Sequence, residues 1–411
     1  MLKMKSLKFL LIVVAINVAS ASPSTEKANK AVREVMESAM LESDLPAVVA
    51  VAVNSNGHLV EYSYGKVNWS ETLPVSTDSI FRIHSMTKIV TSIAAMQLVE
   101  QGEVHLDQDL SELIPEMARI PILLPNGELV KATVGITLRH LLTHTAGFGY
   151  PNRTYKLSGE FDPSKWEYED FPRQFESGTK YLYGTNTDWA GKLVEKISGM
   201  SLEMYFEKNI FNPLGVETTY FNVPQKEFKR IVSMGNRGKD GKGPLVEIDG
   251  DEVSPSRYPK EEVTNFSGGG GLFSTPSDFT KILQCVLNYG SFKGGRILEK
   301  ETVELMMQNH VGDISLNPEG WHYDPATCCN FNGLMDNDSK WGLATLIDNT
   351  PEAYGRKKGA LVWGGYRNTY FYIDHKSGVA ASIYSQHLPF NHHSTVSLFE
   401  KFSKAVYESF E

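Results

Sequence analysis

Ser85-Met86-Thr87-Lys88 places a hydroxyl and an amine three residues apart at the start of a helical pattern. Residues three apart share one helix face, so the two groups can exchange a proton without a histidine. Ser85 also falls in the first turn, where unpaired backbone N–H groups and the helix dipole favour developing negative charge. Those are the parts of a serine nucleophile with a lysine partner. Ser24-Thr25-Glu26-Lys27 and Ser177-Gly178-Thr179-Lys180 fit the same pattern. Ser24 lies just past a small-residue cleavage site and Ser177 sits among turn formers. Only Ser85 leads into a long helical repeat, with Val90, Ile93, Ala94, Gln97 and Leu98 at three- and four-residue steps.

An acyl-transfer enzyme also needs a group that moves the serine proton and donors for a tetrahedral oxyanion. Gly178-Thr179-Lys180-Tyr181-Leu182-Tyr183-Gly184-Thr185 offers a phenol, Tyr183, on a loop just before a helix. Trp363-Gly364-Gly365-Tyr366 lies late in a strand-like run. Glycines there remove side chains and let another backbone approach, which suits a strand edge that lends an N–H to a substrate carbonyl.

The elements that must position these groups can be read from the pattern. Residues 26–42 predict a helix, 47–53 a buried strand and 58–64 its hairpin partner through Asn54-Ser55-Asn56-Gly57. From 100 to 285 the chain reads as mainly helical and loop-rich, with helices near 137–143, 187–197 and 201–209. Residues 223–265 form a polar excursion that ends in Ser267-Gly268-Gly269-Gly270-Gly271. Thr275-Pro276-Ser277-Asp278 then carries a capping hydroxyl, an N1 proline and an acid for the next helix. No Gly-Lys-Ser/Thr follows the glycine run, so it reads as close packing rather than a phosphate cradle. Strand-like runs at 341–347, 359–363, 369–374 and 379–384 have short connections, which imply an antiparallel sheet. A last helix spans about 394–410. The expected fold is α+β: one antiparallel sheet formed by both chain ends and flanked by terminal helices, with a mainly helical lobe beside it. The sheet lobe would draw on about 25–80 and 290–411, the helical lobe on about 85–285.

With these motifs in this order, the chain resembles the serine β-lactamase and penicillin-binding-protein superfamily. Within it, the chain is most like the class C β-lactamase-related esterases (family VIII carboxylesterases). Ser85 to Lys88 matches the Ser-x-x-Lys motif, with Phe81-Arg82-Ile83-His84 also typical. The segment from Tyr183 matches Tyr-x-Asn, and Trp363-Gly364-Gly365 matches the Lys-Thr-Gly strand motif in its esterase form. Leu138 to Gly147 and Gly268 to Asp278 are further shared stretches, and the similarity runs from about residue 30 to the C-terminus. The resemblance implies a β-lactamase/transpeptidase-like fold and an acyl-enzyme on Ser85. Tyr183 and Lys88 would share the proton work, with either as the base. Ser85 and Tyr366 N–H groups would form the oxyanion hole beside Trp363, Gly364 and Gly365. No cofactor and no metal is implied.

Two departures from the family pattern bear on substrate. Thr185 stands where Tyr-x-Asn has its third member, with Asn186 one step late. Trp363 replaces the lysine of Lys-Thr-Gly, which in the lactamases and peptidases helps hold a substrate carboxylate. Thr185, Asn186 and Arg367 are candidate substrate contacts, Arg367 because it would share a strand face with Trp363 if the strand continued. The loop 311–340, with Trp321, His322 and Tyr323, is a candidate overhang of the pocket. The expected activity is hydrolysis or transesterification of small carboxylic esters. The alternatives are an amide hydrolase of β-lactamase or D-amino-acid peptidase type and a non-catalytic binding protein that keeps the fold. His84, His140 and His144 could build a rival triad, but no Gly-x-Ser-x-Gly elbow exists in the chain.

Whole-chain features set the context. Lys3, Lys5 and Lys8, an apolar run from Phe9 to Ala15 and Ala19-Ser20-Ala21 read as a secretory signal over 1–21, cleaved after Ala21, with 22–411 as the mature enzyme domain. The expected location is extracytoplasmic, with no membrane span left after cleavage. Loss of the three lysines takes the formal net charge from −9 to −12, which disfavours nucleic acid as a partner. The expected partner is a small ester or amide; oligomeric state is left open. Cys285, Cys328 and Cys329 allow one disulfide, from Cys285 to Cys328 or to Cys329, while Cys285 in its helical pattern could equally be a buried free thiol. Asn68, Asn152 and Asn337 head candidate glycosylation triplets, and Asn265, against the glycine run, is expected to be the least used.

Overall fold

The structure is a computed structural model that describes residues 23–57, 59–150, 171–248, 262–316, 327–328, 334–335, 338–349 and 355–410. The signal segment, Asn152, Asn337, Cys329 and the Trp321-His322-Tyr323 cluster lie outside the described residues.

A seven-stranded antiparallel sheet carries the fold. Its strands are β1 (Ala47–Asn54), β2 (Leu59–Gly65), β3 (Lys340–Trp341), β4 (Leu346–Asp348), β5 (Ala360–Gly365), β6 (Thr369–Asp374) and β7 (Val379–Tyr384). They lie in the order β3-β4-β5-β6-β7-β1-β2, so β1 pairs with β2 on one side and with β7 on the other. The two chain ends build one sheet, as the strand pattern predicts.

β1 reads as an unbroken apolar run because both of its faces are covered. Val49, Val51 and Val53 enter the core on one face, while Val48, Ala50 and Ala52 enter the core on the other. Each such valine is worth about 1.5–3 kcal/mol on burial. Two terminal helices, α1 (Pro23–Met40) and α6 (His393–Phe410), cover the outer face through Val32, Met36, Phe399, Phe402 and Val406. On the inner face lies α5 (Pro276–Leu287), packed on β1, β6 and β7 through residues that include Phe279 and Ile282. Sequence places this helix at the end of the helical lobe; its apolar stripe seats it on the sheet. Beyond it come α2 (Thr87–Glu100), α3 (Leu138–Leu142) and α4 (Asn186–Ser198). The side chains of α2 from Thr87 to Leu98 are all buried, so this helix is the axis of the lobe.

Two expectations are corrected and one open choice is resolved. The run 341–347 is a hairpin of β3 and β4 rather than one strand, pairing Trp341 with Leu346. The chain reverses where Gly342 meets another backbone: a Cβ there would lie 2.3 Å from the Met306 carbonyl oxygen. Second, β5 ends at Gly365, and Tyr366-Arg367-Asn368 form its turn into β6, so Arg367 does not share a strand face with Trp363. Of the two readings of Cys285, the free buried thiol is the one observed. It sits in the inner-face core and Cys328 in the outer-face core, with the sheet between them.

Among the described residues no helix is long and apolar enough to cross a membrane. Asn68 is half-buried, its side-chain oxygen accepting from the Ser70 N–H and hydroxyl, and Asn265 is exposed.

Candidate active site

The segment that leads to Ser85 is tied down by both backbone and side-chain hydrogen bonds. Phe81-Arg82 pairs with Phe273-Ser274, the Ile83 N–H donates to Leu272 O at 3.1 Å, and the Leu272 N–H donates to the Thr87 hydroxyl at 3.2 Å. The Gln386 amide both donates to and accepts from the Arg82 peptide. His84 then takes a left-handed backbone (φ 43°), unusual for a residue with a side chain, and begins the 3₁₀ turn His84–Met86 that runs into α2. This turn presents Ser85 at the mouth of α2, partly exposed, with Lys88 one turn further in and buried.

Lys88 is held by three oxygens. Its Nζ donates to Gly269 O at 2.7 Å, to the Tyr150 hydroxyl at 3.4 Å and to Ser85 Oγ at 3.5 Å. It also lies 4.7 Å from the centre of the Tyr183 ring. The glycine run makes this possible. A Cβ at Gly268 would sit 2.9 Å from Thr187 O, and one at Gly269 2.3 Å from an Asp188 carboxylate oxygen. The run therefore nests against α4, and the Asp188 carboxylate accepts from the Gly269 N–H at 3.0 Å and the Ser267 hydroxyl at 2.5 Å. Close packing is what the run provides, and that packing aims one carbonyl at Lys88.

Tyr183 faces the pair from the loop before α4. The Trp363 indole N–H donates to its phenol oxygen at 3.0 Å, and the Tyr150 ring lies edge-on to its ring at 5.8 Å. Burial pushes the Tyr183 phenol above its ordinary range, and Ser85, Trp363 and Tyr150 beside it pull it partly back. Burial likewise raises the Tyr150 phenol, with Lys88 opposing. The loops of Tyr150 and Tyr183 are packed backbone to backbone, since a Cβ at Gly184 would lie 2.4 Å from Phe148 O. Asn186 fastens them together by donating to Phe148 O at 2.8 Å and to Leu182 O at 3.2 Å. Its amide N–H₂ thus supports the loops, and Thr185 is buried beside it.

The third wall is the end of β5. A Cβ at Gly365 would lie 2.2 Å from the Ile83 carbonyl oxygen, so the strand lies directly against the segment that leads to Ser85. Tyr366 follows, its ring edge-on to His84 at 5.9 Å. Gly364 makes room for the Tyr370 ring, whose nearest atom would be 2.6 Å from a Cβ there.

The histidines take supporting places. His144 is buried in an aromatic cage, with ring centres 4.5 Å from Tyr183, 5.2 Å from Trp341 and 6.1 Å from Tyr181. Burial and then the Lys88 charge hold its pKa well below 6.5. His84 is lowered too, by burial first and then by Arg367, Arg82 and Lys88. His140 closes a capping box with Thr137, the N-cap of α3. Arg367 is fully buried behind Tyr366. Among the described residues no group of three or more His, Cys, Asp and Glu stands together as a metal site.

The structure thus brings Ser85, Lys88, Tyr183, Trp363, Gly365 and Tyr366 to one place. Sequence reasoning missed Tyr150, Gly269 as a carbonyl partner, and Asp188 behind it. Tyr150 lies just after the shared stretch Leu138–Gly147, the one local signal that pointed toward it.

Residues 29–397 match the family model described as Beta-lactamase. The chain belongs to the β-lactamase family, and it is an enzyme of the serine hydrolase type built on that fold. It is 29% identical over 408 residues to monacolin J acid methylbutanoyltransferase of Aspergillus terreus, covering 91% of this chain and 94% of that one. Lovastatin esterase of Penicillium rubens is 30% identical, over 80% of this chain and 86% of its own length. A mutant of simvastatin synthase (LovD) from Aspergillus terreus superposes with a TM-score of 0.78 at 29% identity, over 98% of both chains. The fold of EstCE1, described as a hydrolase with promiscuous acyltransferase activity, is shared at a TM-score of 0.71 and 21% identity, over 93% of this chain and 99% of that one.

Proposed function

We propose that the protein is an exported serine esterase or transesterase that carries its acyl group on Ser85. The observation that carries this reading is the contact between Tyr183 and Trp363 beside Ser85 and Lys88. In the resemblance, a lysine at position 363 would help to hold a substrate carboxylate; the indole offers one neutral donor, and it is engaged by Tyr183. That favours esters over β-lactams and D-amino-acid peptides. The relatives named for acyl transfer and for ester hydrolysis support the same reaction class. Export rests on the basic, apolar and small-residue pattern of residues 1–21. Asn68, Asn152 and Asn337 remain proposed glycan acceptors.

Ser85 Oγ attacks the ester carbonyl as its proton passes to the Lys88–Tyr183 pair. The Ser85 and Tyr366 N–H groups receive the developing oxyanion. Collapse expels the alkoxide, which takes the proton back as an alcohol and leaves an ester on Ser85. Water or a second alcohol repeats the steps in reverse and frees an acid or a new ester.

The test is hydrolysis of p-nitrophenyl acetate and butyrate by the mature protein and by Ser85→Ala, with nitrocefin alongside. Ester turnover that disappears in the variant is the expected result. Equal rates in both proteins, or a clear preference for nitrocefin, would overturn the reading.

A further inference from the structure

The turn that carries Tyr366 is clamped by one side chain, Asn368. β5 and β6 pair up to Gly365 and Thr369, which leaves a three-residue connection, Tyr366-Arg367-Asn368. The third residue of such a loop takes a left-handed backbone and is commonly glycine. Asn368 adopts it, with φ 59°, and is completely buried. Asparagine tolerates this conformation, but a bare turn does not need its side chain.

The side chain is instead engaged at both ends. Nδ2 donates to His387 O at 2.8 Å and to Pro389 O at 2.7 Å. Oδ1 accepts from the Tyr370 hydroxyl at 2.8 Å and from the His392 N–H at 3.1 Å. The main chain joins in: Asn368 O accepts from the Ser385 hydroxyl at 2.9 Å, and Arg367 O accepts from the His387 N–H at 3.2 Å. The tip of the β5–β6 hairpin is therefore fixed to the segment that follows β7 rather than left as a free surface turn. Gly364 contributes by letting the Tyr370 ring lie across β5, from where its hydroxyl reaches Asn368.

We infer that Asn368 is a positioning residue for the oxyanion hole: by fixing the turn, it holds the Tyr366 N–H at the place where the acyl oxygen becomes charged. The inference rests on the acyl-enzyme reading proposed above. An oxyanion donor acts through placement, and a shift near 1 Å is enough to cost about a hundredfold in rate. Asn368 touches no reacting atom and acts only through the peptide of Tyr366.

Asn368→Gly keeps the left-handed backbone and deletes every side-chain hydrogen bond of Asn368, including a longer contact of Nδ2 with His387 Nδ1 at 3.4 Å. Tyr370→Phe keeps the ring and removes one donor to Oδ1, a milder change that covers the case in which Asn368→Gly does not fold. Steady-state kinetics on p-nitrophenyl butyrate are measured well below each variant's Tm. The expected result is a fall in kcat of about ten- to a hundredfold for Asn368→Gly, with KM changed less than about threefold, and a smaller fall for Tyr370→Phe. A lowered Tm with unchanged kcat in the folded variants would make Asn368 purely structural and overturn the inference. Wild-type turnover that persists in Ser85→Ala would instead overturn the acyl-enzyme reading, and the inference with it.

Discussion

The Trp363 indole N–H donates to the Tyr183 phenol oxygen at 3.0 Å, joining the strand that ends beside Ser85 to the loop that faces it. This contact, together with the nearby Ser85 and Tyr150 hydroxyls, offsets part of the burial that pushes the phenol up. Trp363→Phe keeps the ring packing against Trp341 and Tyr183 but deletes the donor. The phenol then loses a partner that favours its ionised form, so its pKa rises further. The expected outcome is a three- to tenfold lower kcat, of the order of one hydrogen bond. Stopped-flow ester hydrolysis by both proteins at one fixed pH checks it.

Tyr150→Phe removes one of the three oxygens around Lys88 and a hydroxyl that helps lower the Tyr183 phenol. The Gly269 carbonyl at 2.7 Å still holds the ammonium, so activity is expected to fall by about tenfold or less rather than vanish. A loss as complete as that of Ser85→Ala would give Tyr150 a direct part in the proton transfer.

Gly365→Ala tests the seam between β5 and the segment that leads to Ser85. Its Cβ would stand 2.2 Å from Ile83 O and 2.3 Å from Thr369 Oγ1, so either the strand or the Ser85 turn has to move. Overpacking of this kind costs about 1–3 kcal/mol, which lowers Tm by several degrees. Turnover is expected to fall at least a hundredfold, because in the proposed mechanism the displaced groups meet at the acyl carbon. Circular dichroism beside the kinetics separates a shifted site from an unfolded chain.

Acid stability has a defined source. Burial, with His392 and Arg237 nearby, lowers His387 to about 3, and burial with Arg237 lowers His392 to about 4. The unfolded chain takes up these protons near pH 6.5 while the native state refuses them. Stability from both groups is therefore complete above pH 6.5 and falls as pH drops toward 3–4. Each group costs roughly a tenfold loss in the folding equilibrium per pH unit across that window. Denaturant unfolding at pH 7.5, 6 and 5 should show this decline, and His387→Gln should make it shallower by close to one proton. An unchanged slope in the variant would place the acid sensitivity elsewhere, at His84 or His144.

Sequence was most informative where chemistry and periodicity coincide. Ser85, Lys88 and Tyr183 stand in recognisable motifs, and β1 and β2 show their pairing through a turn and a strand period. It was less informative where a role depends on closure in three dimensions. Trp363 reads as a lost cation, whereas the structure adds its bond to Tyr183. Gly269 reads as packing, and its carbonyl reaches Lys88 only because α2 and α4 cross against the glycine run. Asn186 looks like a shifted motif residue, yet its amide fastens two loops. Arg367 follows a strand pattern that ends two residues earlier, at a turn whose left-handed residue is Asn368 rather than glycine. None of these outcomes is local to its own segment, so no short window of residues could carry it.

The strand order has a consequence for synthesis. Val49 pairs with Tyr384, about 335 residues further along the chain. At roughly 5–20 residues per second, a ribosome needs some 17 to 70 seconds to supply that partner. Throughout that interval the apolar β1–β2 hairpin has one bare flank, open to pairing with another nascent chain. Trp363 and Tyr366 follow Ser85 by about 280 residues, so the nascent chain lacks the wall beside Ser85 until that stretch has been made.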